Sequence, residues 1–143
     1  MTLTSGPLTP EKTLRDVMTT ELVTLNLDDT LRLADDLMVL GNLRHFPVLE
    51  DGKIVGMLNQ SDLLRASIHS LVQHRKDSPR DALGTVVVKD VMKPPPVVPA
   101  GTSLKEAARI MVDQELDCVL VLDGEKLVGL ATRTDLLREL AKA

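Results

Sequence analysis

Gly129-Leu130-Ala131-Thr132-Arg133-Thr134-Asp135, near the C-terminus, is the stretch that decides the reading. It leaves an apolar run ending in Leu127-Val128, passes a glycine and enters Leu136-Leu137-Arg138-Glu139-Leu140, whose apolar spacing predicts a helix. A hydroxyl at Thr132 and a carboxylate at Asp135 stand three residues apart on this strand-to-helix turn. Seventy-three residues earlier the chain carries nearly the same passage, Gly56-Met57-Leu58-Asn59-Gln60-Ser61-Asp62-Leu63-Leu64-Arg65.

The likeness extends outward. Residues 31–65 align with 104–138 without gaps, and 14 of the 35 pairs are identical. They include Gly56/Gly129, Asp62/Asp135, Leu63/Leu136, Leu64/Leu137 and Arg65/Arg138. Shared apolar periodicity accounts for some of these pairs. A shared glycine followed at fixed spacing by Asp-Leu-Leu-Arg needs an internal duplication. Asp16-Val17-Met18 and Asp90-Val91-Met92 add a further pair, offset by 74.

In chain order, residues 1–12 carry Gly6, Pro7 and Pro10 and read as a loose arm. The first copy spans 13–76, a linker with Pro79 and Gly84 spans 77–85, and the second copy spans 86–143. Asp-Val-Met opens each copy. Leu22-Val23-Thr24-Leu25 reads as a short strand, and Thr30 caps a helix over 31–42 with an apolar stripe of Leu31, Ala34, Leu37, Met38 and Val39. His45–Leu49 and Lys53–Leu58 read as a hairpin around Asp51-Gly52. Asp62 to Lys76 reads as a helix with a stripe of Leu63, Leu64, Ile68, Leu71 and Val72. In the second copy Ser103 and Glu106 form a capping box, and Ala107, Ala108, Ile110 and Met111 form the buried face of the helix they open. Val119–Leu122 and Lys126–Leu130 make the hairpin around Asp123-Gly124. The expected class is α/β: two β-α-β-β-α repeats, each with a small three-stranded sheet, packed with pseudo-twofold symmetry.

Composition narrows the function. Apolar residues are 43% and charged residues 27%, which supports a folded core. There is one Phe and no Trp or Tyr, so aromatic platforms for single-stranded nucleic acid are absent. A net charge of −4 offers no basic field for nucleic acid or an anionic membrane. The single cysteine, Cys118, excludes an intramolecular disulfide and a Cys-rich zinc site. No run reaches transmembrane length and no signal peptide opens the sequence, so the cytoplasm is the expected location. No phosphate-binding glycine loop and no carboxylate pair at catalytic spacing occurs, and the expectation is a protein that is not an enzyme.

Two copies of Asp-Val-Met, an apolar hairpin and Gly-x-x-[Ser/Thr]-x-x-Asp resemble a tandem CBS-domain pair, or Bateman module. The resemblance covers about 13–141 and looks like a standalone pair. It implies clefts that take adenosine-containing ligands: AMP, ADP, ATP or S-adenosylmethionine as regulatory ligands, with no obligatory cofactor and no metal. In the first cleft it implies Asp135 on the ribose hydroxyls and Thr132 on a phosphate. The amides of Arg133 and Thr134 would add helix N-terminal charge, and Leu130 would stand beside them. Arg44, His45 and Phe46 would face the base, with Thr24, Leu25 and Asp117 completing the wall. The second cleft would use Asn59 and Asp62, with Val98, Pro99, Cys118 and Val119 opposite. It departs from the pattern, because Asn59 replaces the hydroxyl and the segment facing it offers Asp117 in place of Arg44.

Plainer readings stand beside these. Asp62 and Asp135 can simply cap helices. Arg44 and His45 can be a solvated strand edge, His69 and His74 surface residues, and Cys118 packing. The resulting expectation is a ligand-sensing regulatory module that forms a homodimer through the helices after Asp62 and Asp135, with a protein target still unidentified. The alternative is a protein-interaction scaffold that binds no nucleotide. A metal or nucleic-acid binder is disfavoured by the acidity and by the scattered histidines.

Overall fold

A computed structural model describes residues 11–74, 81 and 83–142. The remainder, which includes most of the expected arm and of the linker around Pro79, lies outside the described residues. In chain order the first elements are α1 (Leu14–Val17), β1 (Leu25–Asn26), α2 (Leu31–Gly41), β2 (His45–Glu50), β3 (Lys53–Asn59) and α3 (Gln60–His74). A 3-10 turn (Val88–Asp90) follows, then β4 (Val97–Pro99), α4 (Leu104–Asp113), β5 (Cys118–Asp123), β6 (Lys126–Thr132) and α5 (Arg133–Ala141). The strands make two three-stranded sheets, β1-β2-β3 and β4-β5-β6. In each, the first strand runs parallel to the second and the second antiparallel to the third. The α/β class and the repeated β-α-β-β-α order follow the sequence pattern. The first strand is shorter than expected, since only Leu25–Asn26 pairs with β2.

Local chemistry explains the element ends. Thr30 accepts the Leu33 N–H through its hydroxyl at 3.2 Å, and Asn42 closes α2 in the left-handed region with φ 52°. Ser103 accepts the Glu106 N–H at 3.1 Å, but the Glu106 carboxylate turns to Arg109 at 2.8 Å, so only half of the expected capping box forms. Asp51 and Gly52 both take positive φ, 51° and 80°, as a type I′ hairpin requires. In the second hairpin Asp123 pairs with Lys126, which makes Gly124-Glu125 the loop. There only Gly124 is positive, at 64°, the type II′ pattern. Both hairpins shift register at the same place, between Val48 and Leu49 and between Val121 and Leu122.

The chain divides into two compact units, Glu21–Pro95, and Met1–Thr20 with Pro96–Ala143. The first unit is built on Leu25, Leu31, Ala34, Phe46, Val48, Leu58 and Val88. The second is built on Leu14, Ala107, Val119, Val121 and Ala131. Each fully buried large side chain contributes about 1.5–3 kcal/mol. Three expected stripes are narrower than their sequence pattern. Val39 on α2, Leu64, Ile68 and Val72 on α3, and Ala108 on α4 are exposed. On α3 the buried side chains include Leu63 and Ser67, so the core takes one edge of the apolar face and leaves the other outside.

Each unit takes its Asp-Val-Met segment from the other copy of the sequence. A Cβ built on Gly129 would lie 2.4 Å from the Met18 Sδ, and one on Gly56 would lie 2.4 Å from the Met92 Sδ. Each methionine therefore fills the space above the glycine of the copy it does not precede in the alignment. Backbone bonds hold the arrangement. Thr19 and Leu130 exchange N–H···O bonds at 2.8 and 3.0 Å, and Lys93 and Met57 do so at 2.9 and 2.9 Å. Asp16-Val17-Met18 thus packs in the unit of the second copy's hairpin and Asp90-Val91-Met92 in that of the first. Only a glycine permits this approach, which gives the shared Gly56/Gly129 a packing reason.

Candidate functional site

The residues expected to form the first cleft come from both units. In Glu21–Pro95, Thr24 and Arg44 are exposed and His45 is half-buried. Leu25 and Phe46 are fully enclosed in their own core, so their side chains are packing and only their backbone is left to meet a ligand. The Arg44 carbonyl accepts the Gln60 N–H at 3.0 Å, which ties the entry of β2 to the start of α3.

In the second unit the β6–α5 junction has the geometry the spacing predicts. Thr132 is the N-cap of α5, with an extended backbone at φ −110° and ψ 167°. Its hydroxyl accepts the Asp135 N–H at 3.2 Å, and the Asp135 Oδ2 accepts the Thr132 N–H at 2.8 Å. This reciprocal capping box satisfies two donors that a helix start otherwise leaves without partners. The Asp135 Oδ1 is 3.3 Å from the Arg138 Nη1, one helical turn on. The Arg133 N–H donates to the Asp117 carbonyl at 3.0 Å, so Thr134 carries the first-turn amide that remains to meet an anion. The Arg133 guanidinium, Thr134 and Asp117 are exposed, and Leu130 is buried. A groove of 650 Å³ adjoins this turn, lined in part by Met111, Leu116, Asp117, Arg133, Leu136 and Leu137.

The second expected set repeats the capping and changes the surroundings. The Asn59 Oδ1 accepts the Asp62 N–H at 2.9 Å, and the Asp62 Oδ2 accepts the Asn59 N–H at 3.0 Å. The asparagine reproduces the cap but spends its carbonyl oxygen on it. Asp62 is far less accessible than its counterpart, with side-chain exposures of 2% and 14% for Asp62 and Asp135. The Asp62 Oδ1 is 2.9 Å from the Lys93 Nζ and 3.3 Å from the Arg65 Nη1. Lys93 was not among the sequence-predicted site residues. Its signal was the one difference between Asp-Val-Met-Lys and Asp-Val-Met-Thr, which acquires meaning only through the exchange of those segments.

In the other unit, Val98 and Val119 lie in the core and Pro99 is exposed. Cys118 is buried. Burial first, and then the neighbouring Asp117 charge, push its thiol up to about 12, which leaves it protonated and unreactive at neutral pH. Among the described residues no helix is long and apolar enough to cross a membrane.

The CBS-domain family model matches residues 14–69 and 88–142. A CBS domain-containing protein of Dictyostelium discoideum is 30% identical over 131 residues, covering 90% of this chain and 90% of its own length. A zinc metalloprotease of Methanocaldococcus jannaschii is 32% identical over 127 residues, which is 89% of this chain but only 32% of that protein. Among solved structures, CBSX2 in complex with AMP superposes with a TM-score of 0.75 at 29% identity, over 91% of this chain and 96% of that one.

Proposed function

This chain belongs to the CBS-domain family, and we propose that it is a regulatory module binding an adenosine-containing ligand at the Thr132/Asp135 turn. The observation that carries the reading is the α5 capping box, on a chain 29% identical to a protein crystallised with AMP. Asp135 Oδ1 faces one cationic neighbour at 3.3 Å and retains acceptor capacity for a ribose diol. The Thr132 oxygen accepts from the backbone, which leaves its O–H to donate to a phosphate. The Thr134 N–H adds the partial positive charge of a helix start, and the exposed Arg133 adds a full one.

AMP is the first ligand to test, with ADP, ATP and S-adenosylmethionine as competitors. Binding biases a two-state arrangement by its differential affinity for the two states, and the protein carries the signal without catalysing a reaction. The exposed apolar side chains Leu64, Ile68, Val72, Leu137 and Leu140 belong in this reading to a homodimer interface formed by α3 and α5. A protein target, in the cytoplasm, receives the signal.

Calorimetric titration with AMP tests the proposal. Heat that saturates in the wild type and disappears in Asp135→Ala supports it. Silence with all four ligands at millimolar concentration overturns it. The exposed apolar helix faces favour a second reading, a scaffold that docks a protein and no nucleotide. Pull-down that survives Asp135→Ala, in a protein silent to nucleotides, supports that one.

A further inference from the structure

Asp62 and Asp135 occupy equivalent places in the duplicated sequence, yet beyond the change of cap from Thr132 to Asn59 their cationic neighbours differ by one side chain. The residue after Asp-Val-Met is Lys93 in one unit and Thr19 in the other. Both make the same pair of backbone bonds to the third strand of their sheet, Lys93 to Met57 and Thr19 to Leu130. Lys93 reaches from that position to place its Nζ 2.9 Å from the Asp62 Oδ1. Thr19 is too short to reach Asp135 in this way, and its side chain is exposed.

Asp62 therefore receives three donors: the Asn59 N–H on Oδ2, and Lys93 and Arg65 on Oδ1. Asp135 receives the Thr132 N–H on Oδ2 and Arg138 on Oδ1. The difference is one ammonium. A charge-assisted bond of this kind is roughly twice as strong as one from a neutral hydroxyl. A ribose diol offers neutral hydroxyls, so at Asp62 it must displace a stronger donor from a carboxylate that is already nearly inaccessible. Lys93 itself is 54% exposed, so its hold on Asp62 comes from the carboxylate and not from being walled in. A groove of 450 Å³ lies beside the pair, lined also by Arg65, His69, Val86 and Asp90. Space is available there; the carboxylate is not.

We infer that Lys93 is an intramolecular lock on Asp62, and that Thr19 at the equivalent position leaves Asp135 as the one open carboxylate of the pair. This rests on the reading above that a carboxylate at this turn holds the ribose of an adenosine ligand. The lock makes the module a one-ligand device despite its duplicated sequence. It assigns Lys93 and Thr19 as the positions that set stoichiometry.

The test exchanges the two residues. AMP is titrated calorimetrically into the wild type, Lys93→Thr, Thr19→Lys and Lys93→Met, the last keeping the aliphatic stem in case the threonine variant folds poorly. Far-UV circular dichroism checks folding. The expected result is one AMP per chain in the wild type and two in Lys93→Thr and Lys93→Met, with the second lost on adding Asp62→Ala. Thr19→Lys is expected to weaken the wild-type site by about tenfold, the equivalent of ~1.4 kcal/mol. A wild type that binds one AMP, with both Lys93 variants still binding one, overturns the lock and leaves the Asp135 reading standing. A wild type that binds two overturns the lock in the same way. A silent wild type whose Lys93 variants bind one AMP, lost with Asp62→Ala, supports the lock and overturns the Asp135 reading. Silence in every protein overturns both.

Discussion

Gly129→Ala puts the exchange of the Asp-Val-Met segments to a quantitative test. The new Cβ would meet the Met18 Sδ at 2.4 Å, its Cγ at 2.7 Å and its Cβ at 3.1 Å. Ordinary carbon contacts lie at about 3.5–4.0 Å, so the methionine must leave its place or the strand must move. Overpacking of this size costs about 1–3 kcal/mol, or roughly 3–10 °C of melting temperature for a chain of this length. Met18→Ala removes the two closest atoms. In that background Gly129→Ala meets only the remaining Cβ, at 3.1 Å, and most of its cost is relieved. The coupling between the two changes is then about 1–2 kcal/mol. Urea denaturation followed by far-UV circular dichroism measures the four proteins; with no Trp or Tyr, intrinsic fluorescence is of little use. An equal Gly129→Ala penalty with and without Met18 refutes the packing argument. In the parallel cycle at Gly56 the Met92 Sδ and Cγ stand 2.4 and 2.9 Å from the new Cβ, and once they are removed the nearest contact is the Lys93 carbonyl oxygen at 3.3 Å, so a coupling of similar size is expected there.

The other predictions concern charge, thiol chemistry and assembly. Asp62→Ala destabilises more than Asp135→Ala, because each loses a cap of about 1 kcal/mol and Asp62 loses in addition its half-exposed ion pair with Lys93, which adds at most about 1 kcal/mol; denaturant titration reads the difference, and a larger loss in Asp135→Ala contradicts the assignment. Cys118 is expected to resist alkylation at pH 8, with labelling that accelerates only in denaturant. Its folded thiol titrates at about 12 against an ordinary value of 9.0, so on raising the pH the unfolded chain ionises first. The Cys118 contribution to stability is therefore complete below about pH 9 and is lost as the pH climbs toward 12; a Cys118→Ser variant with the same alkaline slope contradicts this. Ile68→Asp on α3 is expected to convert a dimer to a monomer by light scattering with the far-UV circular dichroism unchanged. A wild type that is monomeric at all concentrations refutes that assignment of the exposed face.

The parts legible in the sequence are those whose cause is local. Thr30, Asn42, Asp51-Gly52 and the Thr132/Asp135 spacing each act within a few residues, and the structure uses each as its chemistry directs. Periodicity located the helices but overstated their buried faces. A stripe such as Leu63, Leu64, Ile68 and Val72 looks the same whether its partner is the chain's own core or something else. The exchange of Met18 and Met92 was hidden for a different reason. A duplication makes each motif equally compatible with either copy, and nothing in the order of residues says which glycine a given methionine covers. The pair Lys93/Thr19 was hidden behind that same ambiguity. Assigned to its own copy, Lys93 is one more surface lysine beyond an Asp-Val-Met. Assigned across, it is the charge that separates two otherwise matched carboxylates. Equivalence at Asp62 and Asp135 is thus broken twice, in the turn by Asn59 in place of Thr132 and from a distance by the segment that carries Lys93 in place of Thr19. The terminal motif, read alone, already ranks the Asp135 turn above the Asp62 turn through Asn59; the charge docked on Asp62 adds a reason that the motif does not carry.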